Sequence, residues 1–154
     1  MASVSRSVLS NLKVSTLYVK YFDVVWDHAF KQPLPVAIVK SVDKTDSFGI
    51  IPTVFITNET LLQIDSVGLK KLSSDILKLI KSINEINGWK PLEQVQIDCD
   101  WSASTKDKYF QLLEMMQQQD TSNIYSATIR LHQLKYASST GVPPVDRGLL
   151  MCYN

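Results

Sequence analysis

The segment 95–101 reads Val95-Gln96-Ile97-Asp98-Cys99-Asp100-Trp101 and alternates apolar with polar residues. Side chains alternate between the two faces of a strand, so one face here is apolar and the other carries two carboxylates. Neighbouring carboxylates repel each other and are costly to bury without partners. The pattern therefore predicts either a polar cavity with cationic or hydrogen-bonding groups, or a strand end in solvent whose carboxylates are ordinary loop residues.

Further strands are predicted where β-branched and aromatic residues are frequent, at 17–27, 50–58, 125–132 and 147–154. A shorter apolar run at 36–39 is typical of a hairpin arm. Two long helices are predicted, one from residue 65 or 66 to Asn87, where Gly88 ends it, and one that begins near Ser104 and ends in the glutamines at 117–119. Strands that alternate with helices indicate parallel βαβ units.

The polar faces of these strands favour one α/β architecture. Strands of a doubly wound sheet are apolar on both faces, whereas the strands at 50–58, 95–101 and 125–132 each keep a polar face. Inward polar groups near the strands' carboxyl ends favour a partial TIM-type (β/α) barrel of about five mostly parallel strands. A complete barrel needs about 250 residues, so the prediction is one domain, 1–154, truncated after the N-terminal part of a barrel. Residues 1–14 are predicted to be a flexible lead-in.

Composition excludes several classes of function. The 16 Lys and Arg residues balance 15 Asp and Glu residues, so no basic field indicates nucleic acid binding. No apolar run is long enough to span a membrane, and no secretory signal is visible. Glycine-rich phosphate loops and common metal or nucleophile motifs are absent, so no cofactor or metal is predicted. Unpaired edges of an unclosed sheet would favour self-association.

The polar side chains at the strand ends are the candidate site. Asp100 is nearest the end of its strand and is predicted to contact a ligand. Asp98 is predicted to form a buried ion pair with Arg130 or Lys20, because a guanidinium binds a carboxylate through two hydrogen bonds. The same pair could be purely structural.

Three further residues are candidates for ligand contact, and two of them, His132 and Trp101, also have a structural interpretation. His132 follows Arg130 and could bind a sugar hydroxyl or transfer a proton, or be a surface residue. Trp101, together with Trp26, could form a platform for a sugar ring, or be core packing. Tyr153 would lie on the same rim if the last strand ends there.

Three segments, 97–101, 128–134 and 148–154, resemble successive strand ends of glycoside-hydrolase-like (β/α)8 barrels. The resemblance is to uncharacterised envelope proteins of Bacteroidetes, often lipoproteins, and covers only the N-terminal portion of that fold. It implies a protein that hydrolyses or binds carbohydrate, in the bacterial envelope if a signal has been removed. A chitinase-type motif, Asp-x-x-Asp-x-Asp-x-Glu, matches at Asp98 and Asp100, with Val95 and Ser102 in place of the first Asp and the Glu.

A glycosidase needs two carboxylates on either side of the scissile bond, roughly 5 to 10 Å apart. Asp98 and Asp100 are about 6.5–7 Å apart along their strand, but side chains of one strand point in parallel. The complementary carboxylate could then lie in the missing C-terminal part of the barrel. The alternatives are a non-catalytic carbohydrate-binding or surface scaffold protein, and a truncated product without function. The predicted catalytic residues are Asp98 and Asp100, and the predicted substrate-binding residues are Lys20, Arg130, His132, Trp101 and Tyr153.

Overall fold

The computed structural model describes residues 6–40 and 48–152 of the chain. Its strands are β1 (Thr16–Asp27), β2 (Gln32–Val36), β3 (Gly49–Ile56), β4 (Gln94–Cys99), β5 (Ile124–Arg130) and β6 (Arg147–Met151). Its helices are α1 (Arg6–Asn11), α2 (Asn58–Gln63), α3 (Ser66–Asn87), α4 (Lys106–Gln119), α5 (Leu131–Lys135) and α6 (Ala137–Thr140). The predicted α/β class and the two long helices, α3 and α4, are confirmed.

The strands form a six-stranded sheet in the order β2-β1-β3-β4-β5-β6. Only the β1–β2 pair is antiparallel. The four other pairs are parallel, and they join β1, β3, β4, β5 and β6 in chain order. The sheet has six strands rather than about five, because the hairpin arm forms a strand of its own. It lies at Gln32–Val36, earlier in the chain than the apolar run at 36–39. It contains Pro33 and Pro35, which an edge strand tolerates because one side of its backbone needs no ladder hydrogen bonds.

One face of the sheet packs against α3 and α4 and forms the core. Helix α3 begins after Asp65, whose carboxylate accepts a hydrogen bond from the backbone N–H of Gly68, and ends at Gly88 in the left-handed conformation. Apolar side chains at helical spacing point from both helices onto the sheet. The core includes Val54, Ile56, Leu69, Leu72, Ile76, Ile80, Val95, Ile97, Cys99, Tyr109, Leu113 and Met116.

Two other sequence-based predictions concern the ends of elements. The lead-in predicted at 1–14 contains helix α1. Strand β5 ends at Arg130, two residues earlier than predicted, because the chain turns directly into α5, where the Gln133 side chain accepts a hydrogen bond from the Arg130 backbone N–H. Within the described residues, no helix has the length and apolarity needed to cross a membrane. Self-association through sheet edges stays a prediction.

Candidate functional site

The face of the sheet opposite the core carries polar side chains, and we call it the polar face. Side chains of paired residues in neighbouring strands point to the same side of a sheet. Register therefore defines rows across this face. One row consists of Lys20, Thr53, Gln96, Ser126 and Arg147, and the next row towards the strands' carboxyl ends consists of Asp23, Phe55 and Asp98. The predicted polar face is thus confirmed for the strands that carry Thr53, Asp98 and Thr128.

A bulge in β1 brings Asp23 to this face. The pairing of β1 with β3 shifts by one residue between Lys20 and Phe22, so Tyr21 is an extra residue. Tyr21 and Phe22 are both buried, and alternation resumes with Asp23 on the side of Lys20. The Lys20 Nζ lies 2.7 Å from Asp23 Oδ2. Strict alternation places Asp23 on the opposite face from Lys20, so sequence reasoning missed this carboxylate.

A chain of hydrogen bonds crosses the polar face from the edge strand β6 to Asp98, and we call it the hydrogen-bond relay. Arg147 donates to the Gln94 Oε1 at 3.0 Å, and the Gln94 Nε2 donates to the Ser126 hydroxyl at 3.0 Å. Ser126 in turn donates to Gln96 Oε1. These three hydrogen bonds all run in the same direction, from Arg147 towards Gln96. The side chains of Gln94, Gln96 and Ser126 are buried. Buried polar groups of this kind are stable only when each finds a partner.

The relay ends at a carboxyl group. The Gln96 Nε2 donates to the Thr128 hydroxyl at 2.7 Å, and the Thr128 hydroxyl donates to the Asp98 carboxyl. The other carboxyl oxygen, Oδ1 of Asp98, is buried and accepts no hydrogen bond among the described residues. The Asp98 carboxyl therefore lies at the end of the relay, with one oxygen enclosed by the protein and without a partner among the described residues.

Asp98 has a perturbed pKa. Burial raises the pKa of its carboxyl above the usual value of 3.8, and the negative charge of Asp100 raises it further. The positive charge of Arg130, the Thr128 hydrogen bond and the positive charge of Lys20 act in the opposite direction but do not cancel the rise. A half-buried carboxyl with a raised pKa is a recognised marker of a functional site.

Arg130 binds Asp100 through its Nε–H. The predicted ion pair between Arg130 and Asp98 is therefore wrong, whereas ligand contact by Asp100 stays a prediction. The physical reason is position, since Asp100 lies beyond the end of β4 and Arg130 is the last residue of β5. The side chains of Arg130 and Asp100 are 35% and 43% exposed, so this ion pair lies at the rim rather than in the core.

The structure excludes ligand contact by Trp101, and ligand contact by His132 stays a prediction. Trp101 is 1% exposed, stacks on Tyr109 and donates its indole N–H to the Thr140 carbonyl at 2.8 Å. Its ring is therefore part of the packed core, and the prediction that Trp101 forms a platform for a sugar ring is wrong. His132 is exposed on α5 rather than on the strand face, because β5 ends before it. Tyr153 lies outside the described residues.

A cavity of about 600 Å³ lies on the core side of the sheet, between the β1–β2 hairpin and α3. Its lining is mostly apolar and includes Trp26, Pro35 and Ile76, but none of the carboxylates of the polar face. Asp98, the half-buried carboxyl with a raised pKa, lies on the polar face and not at this cavity, and such carboxyls mark candidate sites. We therefore place the candidate site there.

Among residues 6–40 and 48–152, no group of three or more His, Cys, Asp or Glu side chains is arranged to hold a metal ion. Comparison of the chain with models of protein families, with curated proteins and with solved structures finds no match. We therefore infer the function from the geometry of the polar face.

Proposed function

We propose that this protein acts on or binds a carbohydrate at the polar face, as the resemblance to glycoside-hydrolase-like barrels implies. One observation carries the proposal: Asp98 is a half-buried carboxyl with a raised pKa at the end of β4, close in sequence to a second carboxylate, Asp100, that is ion-paired. Sugars offer many hydroxyl donors, and carboxylate oxygens are their natural acceptors.

The two carboxyl groups have different environments. Asp98 has a raised pKa and therefore keeps its proton to higher pH than an ordinary aspartic acid. Asp100 instead forms an ion pair with Arg130 at the rim. Pairs of acidic groups whose environments differ in this way divide the roles of acid and base in glycosidases. Asp98 is thus our candidate for the proton donor, and Asp100 for the charged partner.

The topology supports the finer proposal of a partial TIM-type barrel. Parallel strands β1, β3, β4, β5 and β6 are adjacent in chain order, without the reversal typical of a doubly wound sheet. Helices α3 and α4, which connect β3 to β4 and β4 to β5, pack in the same core. Asp98, Asp100 and Arg130 lie at the carboxyl ends of β4 and β5, where barrel enzymes hold their active sites.

A non-catalytic carbohydrate-binding protein is the second candidate function. The observation that favours it is the direction of the side chains, because Asp98 and Asp100 come from the same strand end and do not face each other across a gap. Such a pair can bind hydroxyl groups without placing an acid and a base on either side of a glycosidic bond.

The test compares the wild-type chain with Asp98→Asn and with Asp75→Asn, a control aspartate on the exposed face of α3. Hydrolysis is measured by reducing-sugar release from a panel of soluble polysaccharides and by release of nitrophenol from aryl glycosides. We expect wild-type activity on at least one substrate, a loss of about 100-fold or more in Asp98→Asn, and no change in Asp75→Asn.

Binding is measured in parallel by calorimetry with the same polysaccharides. Binding without hydrolysis would select the non-catalytic candidate. Absence of both hydrolysis and binding across the panel would reject a carbohydrate function at this face.

A further inference from the structure

The cavity beside the β1–β2 hairpin lies between two largely apolar walls. One wall is the hairpin, in which Val24 pairs with Pro35. One step nearer the turn, Trp26 pairs with Pro33. The other wall is one face of α3 over residues 68–79, a length of about 16 Å at about 1.5 Å per residue. With a volume of about 600 Å³, the cavity has the size of small-molecule sites, which occupy roughly 300–1,000 Å³.

The charged side chains of this lining are bonded within the protein, with one exception. The Asp65 carboxylate accepts a hydrogen bond from the backbone N–H of Gly68 at 2.7 Å. His28 is hydrogen-bonded to Glu59 at the exposed rim. Further along α3, two oppositely charged residues form an ion pair with each other, Lys71 and Asp75. Lys31 is the exception, since it forms no ion pair with any residue in 6–40 or 48–152.

Lys31 lies at the turn of the hairpin in a strained backbone conformation. Its φ is 50°, in the left-handed region that glycine or asparagine usually occupies in hairpin turns. Asp27 fixes the turn, because its carboxylate accepts hydrogen bonds from the backbone N–H groups of Ala29 and Phe30. Trp26, the residue before Asp27, is half-buried, and its indole N–H is neither enclosed nor bonded to any described residue. This end of the cavity therefore offers an ammonium group and an accessible N–H donor.

The ligand that matches this lining has an anionic end and an apolar body. A cationic ligand would meet Lys31, while the carboxylates of Asp65 and Asp75 are already bonded. A carboxylate would instead accept charge-assisted hydrogen bonds at the turn. We infer that the cavity binds an amphipathic carboxylic acid, such as a medium-chain fatty acid, with its carboxylate at Lys31 and Trp26 and its alkyl chain between the hairpin and α3. The cavity is on the opposite side of the sheet from Asp98, so this site does not depend on the proposed carbohydrate function.

The experiment compares decanoate with decanol, which has the same chain but no charge, by NMR titration of the full chain. We expect Lys31→Gln to weaken decanoate binding by about three- to fivefold, the size of an exposed ion pair, and to leave decanol binding unchanged. Lys70→Gln is the matched control, because Lys70 is exposed on α3 outside the lining. In the wild type, the indole N–H signal of Trp26, assigned by its absence in Trp26→Phe, should shift on addition of decanoate.

A second pair of variants tests the cavity itself. Leu79→Trp places a larger side chain in the lining and should weaken the binding of both ligands by about tenfold or more. Leu77→Trp makes the same change on α3 outside this lining and should leave binding unchanged. Circular dichroism confirms that each variant is folded.

Absence of decanoate binding to the wild type, or binding that a folded Leu79→Trp variant retains in full, would overturn the inference. Equal weakening of decanoate and decanol by Lys31→Gln would contradict the position of the carboxylate. If Leu79→Trp does not fold, the Trp26 signal and Lys31→Gln still decide the result. Asp98→Asn should leave decanoate binding unchanged, so this proposal and the carbohydrate proposal can fail separately.

Discussion

Ile97 and Asp98 are consecutive residues of β4, yet they lie in opposite environments. Ile97 is completely buried among the apolar side chains of α3, α4 and the neighbouring strands. Asp98 ends a directional series of hydrogen bonds and retains a buried oxygen that accepts none from the described residues. The core face tolerates any close-packed apolar set, whereas the polar face depends on particular donors and acceptors.

The difference teaches where stability and chemistry reside in this molecule. Apolar burial on the core face stabilises the sheet without specifying a reaction. The polar face instead holds ionisable groups at raised free energy, and functional sites commonly have this property. Substitutions on the core face should therefore change stability most, and substitutions on the polar face should change the titration of Asp98 and ligand binding.

The largest effect is expected for Trp101→Ala. This removes a buried indole that stacks on Tyr109 and should lower the free energy of unfolding by about 3–5 kcal/mol. Urea denaturation followed by circular dichroism measures the change. Near-normal stability with lost polysaccharide binding would instead assign Trp101 to the ligand site and contradict its place in the core.

Thr128→Val should have an intermediate effect. Valine keeps the shape of threonine but removes the acceptor for Gln96 and the donor to Asp98, so the free energy of unfolding should fall by about 1–3 kcal/mol. The pKa of Asp98 should rise, since the Thr128 hydrogen bond lowers it. Thr128→Ser keeps the hydroxyl and is the control. An unchanged Asp98 titration in Thr128→Val would show that the relay does not act on this carboxyl.

Arg130→Gln should cost little stability. Its ion pair with Asp100 is partly exposed at the rim, and such pairs contribute about 0.2–1 kcal/mol. The pKa of Asp98 should nevertheless rise, because the charge of Arg130 lowers it. Thermal denaturation and NMR titration measure the two quantities. A loss of about 3–5 kcal/mol would indicate the buried pair that the sequence pattern predicted.

The smallest effect on stability is expected for Asp98→Asn, and its pH dependence has a defined sign. The folded-state pKa of Asp98 is raised above its usual value of 3.8, so the folded protein binds this proton more tightly than the unfolded chain does. The resulting stabilisation is complete below the usual value and is lost as pH rises through the folded-state pKa. Asp98→Asn should therefore show a Tm about 1–3 °C higher than wild type at pH 7.

The variant should also lose part of the pH dependence between the usual pKa of an aspartic acid and that of folded Asp98. Asp75→Asn is again the control. A lower Tm of Asp98→Asn at pH 7 would mean that the charged carboxylate is stabilised by the fold rather than destabilised.

Alternation and helical spacing were sufficient to predict the parts of this fold in which local pattern and tertiary environment agree. The two faces of β4 and the limits of α3 at Ser66 and Asn87 follow from residue type alone. The polar faces of the neighbouring strands β3 and β5 could also be predicted, because side chains alternate between the two faces along each strand.

Sequence reasoning missed features where the alternation of residues along a strand is interrupted, or where the position of a residue in another strand decides which ion pair forms. The bulge at Tyr21 buries two successive aromatic residues and moves Asp23 to the polar face, and nothing in the local sequence marks the extra residue. His132 left the predicted strand because α5 begins immediately after Arg130. The choice of Arg130 between Asp98 and Asp100 depends on the relative positions of two strand ends, which one sequence does not specify.

The central claim is that burial on the polar face raises the pKa of the Asp98 carboxyl above that of an ordinary aspartic acid. The most direct measurement is the carbon-13 NMR titration of the Asp98 carboxyl in the full chain, assigned by its absence in Asp98→Asn. The account predicts a pKa clearly above the usual value of 3.8 and a further change when a bound sugar covers the carboxyl. A pKa at or below the usual value would contradict it.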